Sequence, residues 1–318
     1  MILVQDIVTV LEALAPTALQ ESWDNSGLLT GRMDQVVTGV LVCLDVTPQV
    51  LEEAIRRGCN FVLSHHPPFF SGMKRFSGES FQEKILVGAI RNDIILYACH
   101  TNLDSVKGGV SGKIAGLIGL VDQRILVPRE NDLVKLVCFI PASHVEPVSR
   151  AMYDAGAGTI GKYDHCSFQA SGNGTFRAGE GANPFIGTVG KDHYEPETRF
   201  ETIVPKHRLA AVLRAMTETH PYEEVAYDLY PLVNRNPAQG LGIVGDLEKE
   251  ETETGFLARV KLLAGLPVIR HSALRNRPVR RVALCGGSGM EFLGHAVSSG
   301  ADIYLTSDIK YHSWFDVP

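Results

Sequence analysis

The sequence predicts an α/β fold: a layered domain interrupted by an inserted ferredoxin-like α+β module. Three observations carry this expectation. Short valine-rich apolar runs alternate with helix-period segments in the N-terminal part of the chain. The same alternation returns from Val279. Between them lie two strand–proline–helix echoes, LVKLVCFIPASHVEPVSRAM and RFETIVPKHRLAAVLRAM, in the order expected of two βαβ-like halves. With 318 residues, 45% of them hydrophobic and 21% charged, the chain is long enough for more than one domain and too apolar to be disordered.

Val4, Ile7, Val8, Leu11 and Leu14 fall on one face at helical spacing, and Pro16 ends that pattern. A polar loop follows over residues 21–25. The run VVTGVLVCLDV then reads as a strand buried on both faces, as in a parallel sheet. Thr47-Pro48 supplies an N-cap and a first-turn proline for a helix that runs to Gly58. A strand is expected over 60–64, a helix over 80–91, a strand over 94–99 and a helix over 110–118, which is the grammar of right-handed βαβ units. After Pro128 come a strand (131–140), a helix (144–155), a Gly-rich stretch to about Gly190, a strand (199–204), a helix (206–219) and a strand (225–229). NRNPAQG reads as a linker. RRVALC is a strand, GGSG a tight turn, 290–298 a helix and ADIYLT a strand. The expected organisation is an α/β domain from residues 1–128 and 237–318, with the module at 129–236.

Thirty Lys+Arg against 36 Asp+Glu give a net charge of −6, which argues against bulk binding to nucleic acid or anionic membranes. No stretch approaches the ~20 apolar residues of a membrane helix. The start, MILVQDIVTVLEALAP, carries Asp6 and Glu12 and lacks a basic leader, so no signal peptide is expected. The six cysteines are dispersed without a CxxC pair and suit small buried hydrophobes in a reducing, cytoplasmic setting.

Polar residues crowd the C-terminal ends of the expected parallel strands, the edge where ligands gather in open α/β sheets. In FVLSHHPPFF, His65 and His66 directly follow a strand. Adjacent residues there are expected to point to opposite sides, so the pair can serve two neighbouring metal ions; two incidental imidazoles at a capped strand end is the competing explanation. In ILYACHTNLDSVKGG, Asp104 is placed to ligate or bridge a cation, or to cap a helix. His100 is placed to orient a neighbour by hydrogen bonding. In LTSDIKYH, Asp308 and His312 follow another strand, as a proton-transfer pair or as surface residues. CGGSGM lacks the lysine of a P-loop and the last glycine of a nucleophile elbow, so its glycines are read as turn formers. HPYEE (residues 220–224) is read as a loop packed on the ferredoxin-like sheet.

SWDNSGLL, LSHHPPFF, ACHTNLDSVKGG, GGSG and TSDIKYH, in this order, resemble the Nif-three-like dinuclear-metal family, whose bacterial members are labelled GTP cyclohydrolase I type 2 homologues. HPYEEVAYDLYPL resembles the PII-like or CutA-like insert of the longer members. The resemblance implies a layered αβα domain with two divalent cations held by His65, His66 and Asp104. Zinc, iron, manganese and nickel all suit such ligands. It also implies a homohexameric ring and metal-dependent hydrolysis of a small-molecule or nucleotide substrate, the alternative being a non-catalytic metal-binding ring or regulatory scaffold. The family pattern continues past TSDIKYH into a GHYESE-like stretch whose histidine and glutamate complete the metal set. This sequence ends at Asp316-Val317-Pro318, no residue in it matches those two, and a truncated α/β domain with weaker metal binding is the expectation.

Overall fold

The computed structural model describes residues 1–317. Helix α1 (Val4–Leu14) buries Val4 and Val8, and its Asp6 carboxylate accepts the Leu3 N–H at 2.8 Å. Strands β1 (Gly27–Thr30) and β2 (Val40–Cys43) precede α2 (Pro48–Arg57). The Thr47 hydroxyl caps α2 by accepting the Val50 N–H at 3.2 Å, and Gly58 ends it at φ 68°, a left-handed conformation that suits glycine. Next come β3 (Phe61–Ser64), α3 (Phe81–Arg91), β4 (Ile95–Ala98), the single turn α4 (Thr101–Asp104) and α5 (Val110–Ile118). The middle of the chain holds β5 (Leu120–Arg129), β6 (Leu133–Pro141), α6 (Val145–Asp154), β7 (Ser167–Arg177), β8 (Asp192–Pro205), α7 (Lys206–Thr219) and β9 (Tyr227–Pro231). It closes with β10 (Asn236–Thr252), α8 (Glu253–Leu263), β11 (Pro278–Ser288), α9 (Leu293–Ser298) and β12 (Ile303–Ser307).

These elements form two compact units, Met1–Val127 with the chain from Gln239 onward, and Pro128–Ala238. In the first, one sheet has the order β1-β4-β3-β2; β2, β3 and β4 are parallel and β1 pairs antiparallel with β4. Strand alternation divides its side chains between two cores. Val62 and Leu96 pack with Leu51, Ala54, Ile85 and Ala89 of α2 and α3, whereas Phe61, Ile95 and Tyr97 pack with Val4 and Val8 of α1. Helices therefore cover both faces, giving the expected αβα layering. A second sheet, β12-β11-β10-β5, packs Ile243, Val282 and Leu284 against Ala115 and Ile118 of α5 and Phe256 of α8.

The second unit runs β6-α6-β7-β8-α7-β9 with strand order β7-β8-β6-β9, antiparallel throughout, which is the ferredoxin-like topology. Leu136, Cys138, Ile140, Phe200 and Val204 pack against Val148, Met152, Val212 and Met216 of the two helices.

Several expectations need correction. β2 is an edge strand, so only part of it is covered: Val40 is 44% exposed and Val42 71%. The stretch expected as merely Gly-rich contains β7, which pairs with β8 from Ser167 to Arg177 despite its weak strand propensity. NRNPAQG spans the boundary between the two units but is not a loose connection, because β10 starts at Asn236, whose side chain donates to Asp132 at 2.7 Å. A Cβ at Gly240 would collide with the Val127 carbonyl, so that glycine serves close backbone approach rather than looseness. β1 and β5 carry no strong periodic signal and arise from pairing with β4 and β10, whereas α8 is started by the Thr252 hydroxyl, which accepts the Gly255 N–H at 3.2 Å. The first three residues of GGSG close β11, with Gly287 at φ 71°, and Gly289 lies just beyond it.

All six cysteines are free thiols. Burial pushes Cys285 up to about 11 and Cys138 up to about 12, consistent with packing groups rather than reactive ones. Among the described residues no helix is long and apolar enough to cross a membrane. Replacing the α2 cap, Thr47→Ala, is expected to cost about 1 kcal/mol; chemical denaturation of the two proteins measures it, and equal stability would show that the cap bond contributes nothing.

Candidate metal centre

The parallel strands β2, β3 and β4 end at one edge, and each delivers polar residues within two positions of its last strand residue. β2 leads to Asp45, β3 to His65 and His66, and β4 to His100. The His65 N–H donates to the Cys43 carbonyl at 3.2 Å and the His66 N–H to the Leu44 carbonyl at 3.0 Å, so the loop after β3 stays tied to its neighbour. The two histidines do not diverge as strict alternation would have them. Both lie in a bend beyond the strand, and their ring centroids are 4.9 Å apart. His100 joins them, 5.2 Å from the His65 ring and 5.4 Å from that of His66. Ligand atoms of the three rings all lie within 4.8 Å of one another.

Each ring is held through Nδ1. His65 Nδ1 bonds the Cys99 carbonyl at 2.8 Å, His66 Nδ1 the Asp45 carboxylate at 2.8 Å, and His100 Nδ1 the Asp24 carboxylate at 2.8 Å. A carbonyl or carboxylate only accepts, so Nδ1 carries the proton and Nε2 of each ring keeps its lone pair. Burial pulls His65 below the ordinary imidazole value, with Asp104 opposing, which favours the neutral, ligating form.

The side chain of Asp24 is fully buried, in a cradle formed by the loop before β1. Its carboxylate accepts from the Asn25 N–H at 2.7 Å, the Ser26 hydroxyl at 3.0 Å, the Thr101 N–H at 3.0 Å and the Thr101 hydroxyl. Burial pushes the Asp24 carboxyl up, but the bonds from Thr101, His100 and Asn25 outweigh it and hold it down at about 2. The Asn25 side chain donates to the Phe69 carbonyl at 2.9 Å, tying this loop to the one after His66. Two half-exposed rings rise from these loops, Trp23 and Phe70, 5.9 Å apart and each 5.8 Å from His100.

Asp104, at the end of α4, lies close enough to interact electrostatically with all three histidines and with Asp24. Burial raises its carboxyl above the ordinary value against the pull of His65 and His100. The group of ligand atoms that lie within 4.8 Å of one another consists of the three histidines; it does not include Asp104, Asp308 or His312. Asp308 follows β12 on the second sheet, exposed and at φ 53°, with the Ser307 hydroxyl 3.4 Å from its carboxylate. His312 is exposed, its ring 5.2 Å from that of Tyr311.

Sequence reasoning missed the two carboxylates that orient the rings. Asp45 carried a usable signal, an acid directly after an apolar parallel strand. Asp24 sat in a motif whose loop gives no periodic cue to its partner, which lies 76 residues away.

The depressed Asp24 value has a consequence for stability. A carboxyl whose folded value lies below its ordinary ~3.9 stabilises the fold above that pH and loses the contribution as pH falls toward the folded value. Asp24→Asn is therefore expected to lose on the order of 2 kcal/mol at neutral pH, with the deficit narrowing between about pH 4 and pH 2. Denaturation at several pH values measures the gap; a gap that does not change with pH would contradict the assignment.

A model of the DUF34/NIF3 (NGG1p interacting factor 3) family matches residues 2–318. A Halalkalibacterium halodurans protein named GTP cyclohydrolase 1 type 2 homolog is 40% identical over 309 residues, 97% of this chain and 83% of that protein. A Bacillus subtilis protein of the same name is 38% identical over 309 residues, again 97% and 83% of the two chains. The crystal structure of a Bacillus cereus protein related to NIF3 matches with a TM-score of 0.85 at 39% identity, covering 99% of this chain and 85% of that one. The chain belongs to the DUF34/NIF3 family.

Proposed function

We propose that this protein is a divalent-metal-dependent hydrolase whose centre is formed by His65, His66, His100 and Asp104. The observation that carries the reading is the shared anchoring of three imidazoles through Nδ1, which leaves the Nε2 lone pair of each ring free in a group whose ligand atoms lie within 4.8 Å of one another. Three neutral nitrogens and one carboxylate suit a borderline cation such as zinc, iron, manganese or nickel. In this reading Asp104 would help to hold a second cation, as the resemblance to dinuclear members implies, and His100 would be a ligand rather than only an orienting neighbour.

When bound, the metal would act as a Lewis acid toward a phosphoryl or carbonyl oxygen of the substrate. The chain's own residues do the rest. Asp24 and Asp45 fix the tautomer and aim of His100 and His66, the contribution of partners beyond the ligands themselves. Trp23 and Phe70 offer exposed aromatic faces beside the histidines, which suits a flat substrate ring. The relatives' name, GTP cyclohydrolase 1 type 2 homolog, makes purine nucleotides the first substrates to assay. Asp308 and His312 are assigned no step.

We also infer that the protein is a homo-oligomer, with a hexamer as the form the resemblance implies. Support comes from the edge strand β2 and the residue just past it, where Val42 and Leu44 are 71% and 60% exposed. Light scattering on the wild type and Val42→Glu tests it: a multimer that shrinks in the variant is expected, and a wild-type monomer contradicts the inference.

The centre is tested by elemental analysis and nucleotide hydrolysis. His66→Ala and Asp104→Ala are expected to lose most bound metal and all turnover. Asp24→Asn is expected to weaken metal affinity by roughly 10–100-fold while keeping the fold. Unchanged metal content in the first two variants would overturn the assignment; metal lost with turnover intact would overturn the hydrolase mechanism alone.

A further inference from the structure

The ferredoxin-like sheet has one face against α6 and α7. On the other face, register places Glu197 opposite Gly172, Arg199 opposite Ala170 and His193 opposite Phe176. A cavity of about 720 Å³ opens there, with Phe139, Phe176, Phe185 and Tyr222 among its walls. The Tyr222 ring lies 6.0 Å from Phe176 and 6.3 Å from Phe185.

Glu197 also lines this cavity and is only 9% exposed. Its carboxylate accepts the Tyr222 hydroxyl at 2.9 Å, a neutral donor. Among the described residues no lysine, arginine or histidine lies within ion-pair distance of it. The two arginines of the wall are otherwise engaged: Arg199 Nε donates to Glu201 at 2.8 Å, and Arg177 faces Asp192 at 4.0 Å. Gly174 has no side chain where the Glu197 carboxylate lies, and a Cβ there would collide with it. The HPYEE segment completes the arrangement. His220 accepts the Tyr222 N–H at Nδ1 (3.1 Å) and donates from Nε2 to the Phe139 carbonyl (3.1 Å), so a neutral imidazole pins Tyr222 over the sheet.

A buried carboxylate without a counter-charge is costly, and a cation arriving beside it relieves that cost. Aromatic faces around it attract the same charge and an apolar body. Glu223 and Glu224 on the wall disfavour anions. We propose that this cavity binds a small organic cation, a protonated amine on a flat apolar body, with the ammonium at Glu197 and the body among Phe176, Phe185 and Tyr222. The site belongs to the ferredoxin-like unit and stands independently of the metal centre.

Calorimetric titration of the full chain with 2-phenylethylamine, 2-phenylethanol and phenylacetate tests it. The amine is expected to bind saturably at millimolar concentration or better, the alcohol at least about tenfold more weakly (~1.4 kcal/mol), and the acid not at all. Glu197→Gln is expected to abolish the preference for amine over alcohol, and Phe176→Ala to weaken both while keeping it. A thermal melt confirms that each variant is folded; should Glu197→Gln fail to fold, Tyr222→Phe, which removes the hydroxyl but keeps the ring, is expected to alter amine affinity more than alcohol affinity. No saturable binding of the amine, equal binding of amine and alcohol, or a preference unchanged by these carboxylate and hydroxyl substitutions would overturn the proposal. Metal content is expected to stay unchanged in all three variants, which separates this site from the metal-centre reading.

Discussion

A histidine ligates a metal only through a nitrogen that carries no proton, and in this protein an oxygen acceptor on Nδ1 makes that choice for three rings at once. A backbone carbonyl does it for His65, the exposed Asp45 for His66 and the buried Asp24 for His100. The proposed chemistry depends on this constraint, because unanchored imidazoles would sample both tautomers and several rotamers and would lose that freedom on binding. The anchors come from different parts of the chain, so the geometry exists only once β2, β3, β4 and the loop before β1 have come together.

The layering of the first unit supplies that assembly. β3 and β4 are covered on both faces, with Phe61, Ile95 and Tyr97 at or below 1% exposure on one side and Val62 and Leu96 likewise on the other. Fixed strands fix their ends, and a site on strand ends holds its side chains more closely than one on long loops. The Asp24 loop, which has no sheet to hold it, is stabilised by its own hydrogen bonds to Asn25, Ser26 and Thr101.

Much of this was legible in the sequence where one physical signal dominated. The Thr47-Pro48 start and Gly58 stop of α2 are local chemistry, and the structure follows them closely. The alternation of apolar runs with helices announced parallel strands, and polar residues at their ends announced a site, although the one run read as buried on both faces, β2, is the edge. What stayed hidden was set at a distance. β7 is rich in glycine and polar residues and owes its strand to β8. β10 opens in a segment whose composition belongs to loops, held by Asn236 on Asp132. The alternation rule failed at His65 and His66 because both lie just past the strand, where the pleat no longer sets side-chain direction. His100 was readable as a neighbour of the site; its place among the rings depends on Asp24, which no spacing rule connects to it.

The central claim is that three Nε2 atoms form one metal-binding locus at the ends of β3 and β4. The most direct test is anomalous diffraction at the absorption edge of zinc or manganese from crystals of the metal-loaded protein. The account predicts a peak bounded by Nε2 of His65, His66 and His100, with Nδ1 of each ring still on its oxygen partner. A peak elsewhere, or one bounded by rings that have released Cys99, Asp45 and Asp24, would contradict it.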